Sequence, residues 1–324
     1  CRSSQETFSC TYSMSVLSRF GVTVETLDKF QDPAAGSGRV LLLDGDGTCY
    51  QATATAKKLD TAMRRFEQQV LEYMFLAKCE SARVHLTPKG CAKNGRHLLN
   101  GVKPYQGNRK GKDKPPLLEL LRSSASEVFQ HHPDIQVFSH YRWEADDALM
   151  MDCYSIHNGV LVSEDKDLLI APTESYDVQT GQFLTLPKGE RYGYLERKYT
   201  PAGSPRVKGK GTKFWFAQTL MGDTADNIKG ILKYDNKLCG AIAAYNILDD
   251  IQSEDDAANV VLDGYRKINQ NVLPEAEALW LLRWEGDSAY NFLKELNLSP
   301  ANLDFLEDCY NQDWRRDEYH EPEE

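Results

Sequence analysis

The chain has 324 residues, with 38 Lys+Arg against 48 Asp+Glu, a formal charge of −10. At 41% hydrophobic and 27% charged residues it is an ordinary globular composition, long enough for one large domain or two modest ones. No apolar run nears the ~18 residues of a membrane span, the opening CRSSQETFSC lacks a secretory layout, and the eight scattered cysteines form no Cys-x-x-Cys pair. Membrane, collagenous and disulfide-scaffold classes are therefore excluded, and a cytoplasmic protein with reduced thiols is expected.

Met14 opens a segment that resembles a natural start, followed by an amphipathic stretch to Phe30; residues 1–13 are expected to carry no function. Residues 31–39, with Pro33, Gly36 and Gly38, are expected to be a linker. Val40–Leu43 predicts a strand and Ala56–Lys78 a long helix. Arg83–Leu86 predicts a strand, Leu117–His131 a helix and Ile135–Phe138 a strand. A helix follows from Trp143 to His157, stopped by Asn158-Gly159, and then a strand at Val160–Val162. Tyr176–Val178 and Phe183–Leu186 flank Gln179–Gln182 as a hairpin. After Thr212 the pattern is helical up to the acidic end. Strand–helix alternation predicts an α/β fold, a mostly parallel sheet flanked by helices, with ligands beyond the carboxyl ends of its strands. Residues 40–212 would form this domain, 213–312 a helical part and 313–324 an acidic, solvated tail.

Two basic stretches interrupt the acidic balance. Nine Lys/Arg and one acid lie between Arg83 and Lys114, mostly within a patternless insertion at about 88–116. Arg206, Lys208, Lys210 and Lys213 form the second, among glycines. Both read as loops facing an anion.

The acids are placed more tellingly. Asp44 follows the first strand, Glu144, Asp146 and Asp147 open a helix, Asp165 and Asp167 follow another strand, and Asp223 and Asp226 close a helix in Gly222-Asp-Thr-Ala-Asp-Asn227. Glu144/Asp147 and Asp223/Asp226 have the i, i+3 spacing of one helix face. If all eight converge, two like charges ~4 Å apart repel by roughly 4 kcal/mol at an effective dielectric of about 20. Such a set calls for hard divalent cations, two Mg²⁺ or Mn²⁺, and for in-line displacement at phosphorus. Singly, each motif has a plainer reading: a turn acid at Asp44, helix-start acids at Glu144–Asp147, a cap at Ser163–Asp167. His131-His132 reads as a helix end, and Trp215, Trp280 and Trp284 as core or interface.

Leu41-Leu-Leu-Asp-Gly-Asp46, Tyr105-Gln-Gly-Asn-Arg109, Glu144-Ala-Asp-Asp147, Ser163-Glu-Asp-Lys-Asp167 and Leu220-Met-Gly-Asp-Thr-Ala-Asp-Asn-Ile-Lys-Gly230 together resemble the 5′-nuclease (flap-endonuclease-like) superfamily, most closely the 5′→3′ exonucleases of short-tailed bacteriophages. The resemblance implies a PIN-like sheet, an arch-like basic insertion and a two-metal hydrolase that cuts DNA at 5′ ends or flaps. It further implies action on the RNA of RNA/DNA hybrids, a role in phage DNA replication in the host cytoplasm, and a monomer. Carried over, Asp44, Glu144, Asp146 and Asp147 would bind one metal, bridged by Asp165, and Asp167, Asp223 and Asp226 the other. Arg109, Lys110 and Lys103 would act at the scissile phosphate. Lys103, Tyr105, Arg109, Lys110, Lys112, Lys114 and Lys229 would contact DNA. Three departures stand out. Thr87-Pro88 replaces an Asp, so the first site is either a ligand short or borrows Asp46 or a water. Gln106 replaces a Lys, and Ile231–Cys239 is poor in glycine. Two other readings compete: a haloacid-dehalogenase-like phosphatase using Asp44 and Asp46, with Thr87 as its second motif, and a DNA-binding accessory protein whose metal site has decayed.

Overall fold

The computed structural model describes residues 36–109, 111 and 113–316. The expectations for Met14, for the amphipathic stretch to Phe30, for Lys110 and Lys112, and for the tail beyond Arg316 lie outside the described residues. Strand β1 (Val40–Asp44) buries Leu41, Leu42 and Leu43 completely, because a central parallel strand is covered on both faces and so reads as an unbroken apolar run. With β2 (Ser81–Leu86), β3 (Ile135–Ser139), β4 (Gly159–Val162), β5 (Ser175–Asp177) and β6 (Gln182–Leu184) it forms a sheet of order β3-β2-β1-β4-β5-β6. All neighbours are parallel except the β5–β6 hairpin.

The chain lays β2 and β3 to one side of β1, then crosses back to place β4 on the other. The order reverses between β1 and β4, and at such a reversal the two connections leave in opposite directions and open a crevice beyond the carboxyl ends. The register pairs Leu43 with Val162, so Asp44 stands beside the segment that begins at Ser163.

Helix α1 (Gly45–Thr53) starts directly at Asp44, whose side chain caps it. The sequence reading missed α1, since its GDGTCYQAT lacks helical periodicity. Helices α2 (Leu59–Leu76) and α3 (Leu118–Val128) pack with Leu41 and Leu43 on one face of the sheet. Helix α4 (Ala145–Ser155) packs with Leu42 on the other. The same apolar cluster runs on into α5 (Thr212–Met221), α6 (Ala241–Leu248), α7 (Glu254–Lys267), α8 (Leu273–Leu279), α9 (Ala289–Lys294) and α10 (Pro300–Tyr310). Every residue of α5 from Thr212 to Leu220 is buried, and Trp215 meets Trp280 and Phe292 with ring centroids 5.0 and 5.4 Å apart. Of the three tryptophans expected in core or interface, Trp284 stays 47% exposed. No helix among the described residues is long and apolar enough to cross a membrane, and the cysteines described are all free.

The second basic stretch is no loop, though Arg206 and Lys208 are exposed on it. It forms β7 (Tyr194–Tyr199) and β8 (Pro205–Lys210), an antiparallel ribbon whose inward side chains, Leu195 and Val207, are too few to make alternation visible among the charges. Lys210 is wholly buried, donating to the carbonyls of Ala171 and Thr173 and to Ser175 Oγ, and burial lowers its pKa to about 8. Lys213 donates to the carbonyls of Asp249 and Ile251. Both ammonium groups hold the end of a loop by its carbonyls.

Candidate metal centre

The crevice at the reversal point is lined with acids because three chain segments turn there and each uses a carboxylate to start its next element. Asp44 Oδ1 accepts the amides of Asp46 (3.0 Å) and Gly47 (3.4 Å), while Oδ2 accepts Ser163 Oγ at 3.0 Å, tying the end of β1 to the end of β4. Ser163 Oγ in turn accepts the Asp165 amide (2.9 Å), and Asp165 caps the 3₁₀ turn Lys166–Ile170 by accepting the Asp167 amide (2.9 Å). Asp146, in the first turn of α4, has no hydrogen-bond partner among the described residues. It sits within the field of Asp44, Asp165, Glu144 and Asp46.

The second half of the site is a loop, not the helix face that the i, i+3 spacing suggested. Helix α5 stops at Met221. Asp223 and Ile228 exchange backbone hydrogen bonds of 2.8 and 2.6 Å, closing a loop that holds Asp223 and Asp226. Gly222 and Gly230 flank it with φ of +76° and +71°, and the two backbones approach so closely that a Cβ at Gly222 would lie 2.4 Å from the Lys229 carbonyl oxygen. That packing explains the two glycines of the motif. One oxygen from each of Asp167, Asp223 and Asp226 lies within 4.8 Å of the others.

The electrostatics record the crowding. Burial raises Asp44 to about 7, with Asp46 and Asp165 adding to it, and raises Asp167 to about 7, with Asp165 adding. Asp146 is pushed well above the carboxylate range by burial and then by Asp44 and Asp165. Burial also raises Asp226, against the pull of Arg109. Asp223 goes the other way: burial would raise it, but Lys166 Nζ, on both Asp223 (2.5 Å) and Asp167 (2.8 Å), holds it below the usual value. Acids buried this close together repel one another and cannot all ionise without a cation among them.

Two of the eight expected ligands are committed elsewhere. Asp147 is fully buried and receives both arms of the equally buried Arg96, at 2.7 and 2.6 Å, plus the amides of Leu282 (3.2 Å) and Glu144 (3.3 Å). The Glu144/Asp147 spacing is therefore a helix-start device, and Asp147 leaves the ligand set. Glu144 accepts from Lys93 (2.9 Å), Tyr105 Oη (2.9 Å) and Arg96 (3.3 Å), and although burial opposes it, Arg96 and Lys93 hold its pKa low. Glu144 borders the cluster as the partner of the insertion.

In the first basic stretch Lys93, Arg96 and Arg109 face acids of the chain itself. The backbone of Gln106 donates to the Asp226 carbonyl at 2.8 Å, Arg109 pairs with the Asp226 carboxylate, and Asn108 reaches the Thr224 carbonyl at 2.8 Å. Tyr105 turns its hydroxyl inward. Lys103 and Lys114 are exposed, the latter 4.0 Å from Glu119, and Lys229 is half-buried. The acidic end is tied down where it begins: Trp314 and Arg316 exchange backbone hydrogen bonds with Asn100 and Leu98 of the insertion, each 2.9 Å. Asp46, the acid next to the missing one at Thr87-Pro88, accepts the Thr87 amide at 3.1 Å at the end of β2, where Arg122 also meets it at 2.9 Å. Thr87 Oγ1 accepts the Ala145 amide at 2.8 Å and starts α4, which removes it as a phosphatase motif.

Sequence reasoning missed three residues here. Lys166 lies within the quoted Asp165-Lys-Asp167, and a cation between two acids was the available signal. Gln218, the lone amide in the apolar run FWFAQTL, is buried and donates to Asp167. Glu275 accepts the amides of Val102 (2.8 Å), Lys229 (3.1 Å) and Gly230 (3.0 Å), pinning the insertion and the acidic loop to α8; nothing local in the sequence marks it.

No protein-family model matches the sequence, and no curated protein does. Among solved structures, the D15 protein of bacteriophage T5 co-crystallised with metal ions matches at TM-score 0.50 and 14% identity, over 84% of this chain and 96% of that one. The flap endonuclease of the same phage, in a pseudo-enzyme–product complex with DNA and metal ions, matches at 0.49 and 15%, over 83% and 99%. The phage's 5′-exonuclease with zinc bound matches at 0.49 and 15%, over 84% and 98%. At such identities the likeness is one of fold, and this chain shares the fold of the phage D15 protein.

Proposed function

We propose that this chain is a divalent-metal-dependent phosphodiesterase that hydrolyses DNA from 5′ ends or at 5′ flaps. The observation that carries the reading is the meeting of Asp44, Asp146, Asp165, Asp167, Asp223 and Asp226, from four separate segments, at one reversal point of the sheet. The donor set fits hard cations: all ligand atoms are carboxylate oxygens, and burial with mutual repulsion raises the pKa of Asp44, Asp146 and Asp167. Asp44, Asp146 and Asp165, with Asp46 beside them, would hold one Mg²⁺ or Mn²⁺, and Asp167, Asp223 and Asp226 a second. Bound there, such ions activate water and neutralise a phosphate.

The chain's own residues supply the rest. Ser163 fixes Asp44 and Asp165 relative to each other, so the two halves of the site share a rigid edge. Lys166 pairs with both Asp167 and Asp223, standing where a cation would sit, and holds Asp223 ionised. Arg109, with its side chain 49% exposed on the rim, is placed to swing from Asp226 to a phosphate, and Lys103 offers a second charge. Contacts of this kind grip the backbone without reading bases, so cleavage should tolerate sequence and weaken with salt. The phage replication setting, action on RNA of hybrids, host-cytoplasmic location and monomeric state belong to the same reading.

The test is cleavage of 5′-labelled duplex and flap DNA with Mg²⁺, with EDTA, and by Asp165→Asn. Mg²⁺-dependent release of short 5′ products, lost in EDTA and in the variant, is expected. Binding without cleavage by the wild type would instead support the accessory-protein reading.

A further inference from the structure

While Trp215 and Trp280 are buried, two large aromatics near the start of α4 stand open, Tyr141 at 64% and Trp284 at 47%. Trp284 is anchored at its ring and Tyr141 at its backbone. Trp284 lies over the guanidinium of Arg283, 4.1 Å from the ring centroid, and Arg283 is buried and locked by Asp287 (2.8 Å) and Glu295 (2.7 Å). The Tyr141 carbonyl accepts the Ala92 amide at 2.8 Å, and the next carbonyl, of Arg142, accepts the Asn94 amide at 2.8 Å. Arg142 pairs with Glu285 and so joins the two aromatic segments. Asn94 in turn accepts Arg315 at 3.4 Å, bringing a second exposed guanidinium to the same surface. Three residues beyond Tyr141 the chain reaches Glu144 and the acidic cluster.

Open aromatic rings beside exposed guanidinium groups are the chemistry by which unpaired nucleobases are held irrespective of sequence. We infer that Tyr141 and Trp284 form a stacking platform for unpaired bases of the strand presented to the acidic centre, with Arg142 and Arg315 meeting its phosphates. The inference rests on the nuclease reading for its choice of ligand, but it is tested apart from it.

The experiment is equilibrium binding of an oligothymidine of about twelve nucleotides in EDTA, read by anisotropy and by tryptophan fluorescence, with cleavage followed in parallel on the wild type alone. Trp284→Ala and Tyr141→Ala should each weaken binding about tenfold, while Trp284→Phe keeps most of the affinity and loses the quench of that indole. Wild-type affinity in both alanine variants, or no binding by the wild type, overturns the platform. A wild type that binds oligothymidine through these residues yet cuts no DNA overturns the nuclease reading and leaves the platform standing.

Discussion

Replacing Arg96 by Met separates the structural role of Asp147 from the ligand role that its sequence position suggested. Both side chains are out of solvent, and Arg96 is the sole cation bonded to Asp147 among the described residues. Removing one partner of such a pair leaves a buried charge uncompensated, at a cost of about 3–5 kcal/mol. The Trp280 carbonyl, which Arg96 also meets at 2.7 Å, loses its donor as well, for ~1 kcal/mol more. A fold of this size loses ~2–4 °C of melting temperature per kcal/mol, so Arg96→Met should melt on the order of 10 °C lower. Arg96→Met/Asp147→Leu should recover much of that, since removing both charges removes the unpaired one. Thermal unfolding in EDTA measures the stabilities, and Mg²⁺ titration calorimetry on Asp147→Asn measures the ligand role. A loss below ~1 kcal/mol in Arg96→Met would refute the buried-pair argument, and a tenfold weaker Mg²⁺ affinity in Asp147→Asn would return Asp147 to the metal site.

Asp44 and Asp167 have folded-state pKa values raised to about 7, so the metal-free fold binds their protons more tightly than the unfolded chain does. Their stabilising contribution is complete below about pH 4 and is lost as the pH rises through 7. Melting in EDTA should therefore fall between about pH 5 and 8, and Mg²⁺ should raise it more at the upper end; a metal effect equal at both ends would contradict the cluster. Lys166→Met removes the ammonium between Asp167 and Asp223. The metal-free protein should then be less stable while Mn²⁺ binds at least as tightly, as read by calorimetry; weaker binding would make Lys166 a necessary support of the ligands rather than their substitute cation.

The sequence alone determined the sheet, because buried parallel strands are unbroken apolar runs and VLLLD and GVLV can be little else. It also marked most of the acids, since Asp44, Asp165 and Asp223 stand at element ends where a carboxylate has a local job. Local pattern could not tell which acids share a space. Glu144–Asp147 and Asp223–Asp226 have the same spacing, yet one pair starts a helix and faces Arg96, while the other lies in a glycine-flanked loop and faces Asp167. Charge is equally blind to its partner: Arg96, Lys210 and Lys213 counted as a basic surface, and tertiary packing turned them onto a buried acid and onto carbonyls. Partners such as Glu275 or Gln218 lie tens of residues from what they hold. Their roles arise because folding brings distant segments into hydrogen-bond range, and only the tertiary structure decides that.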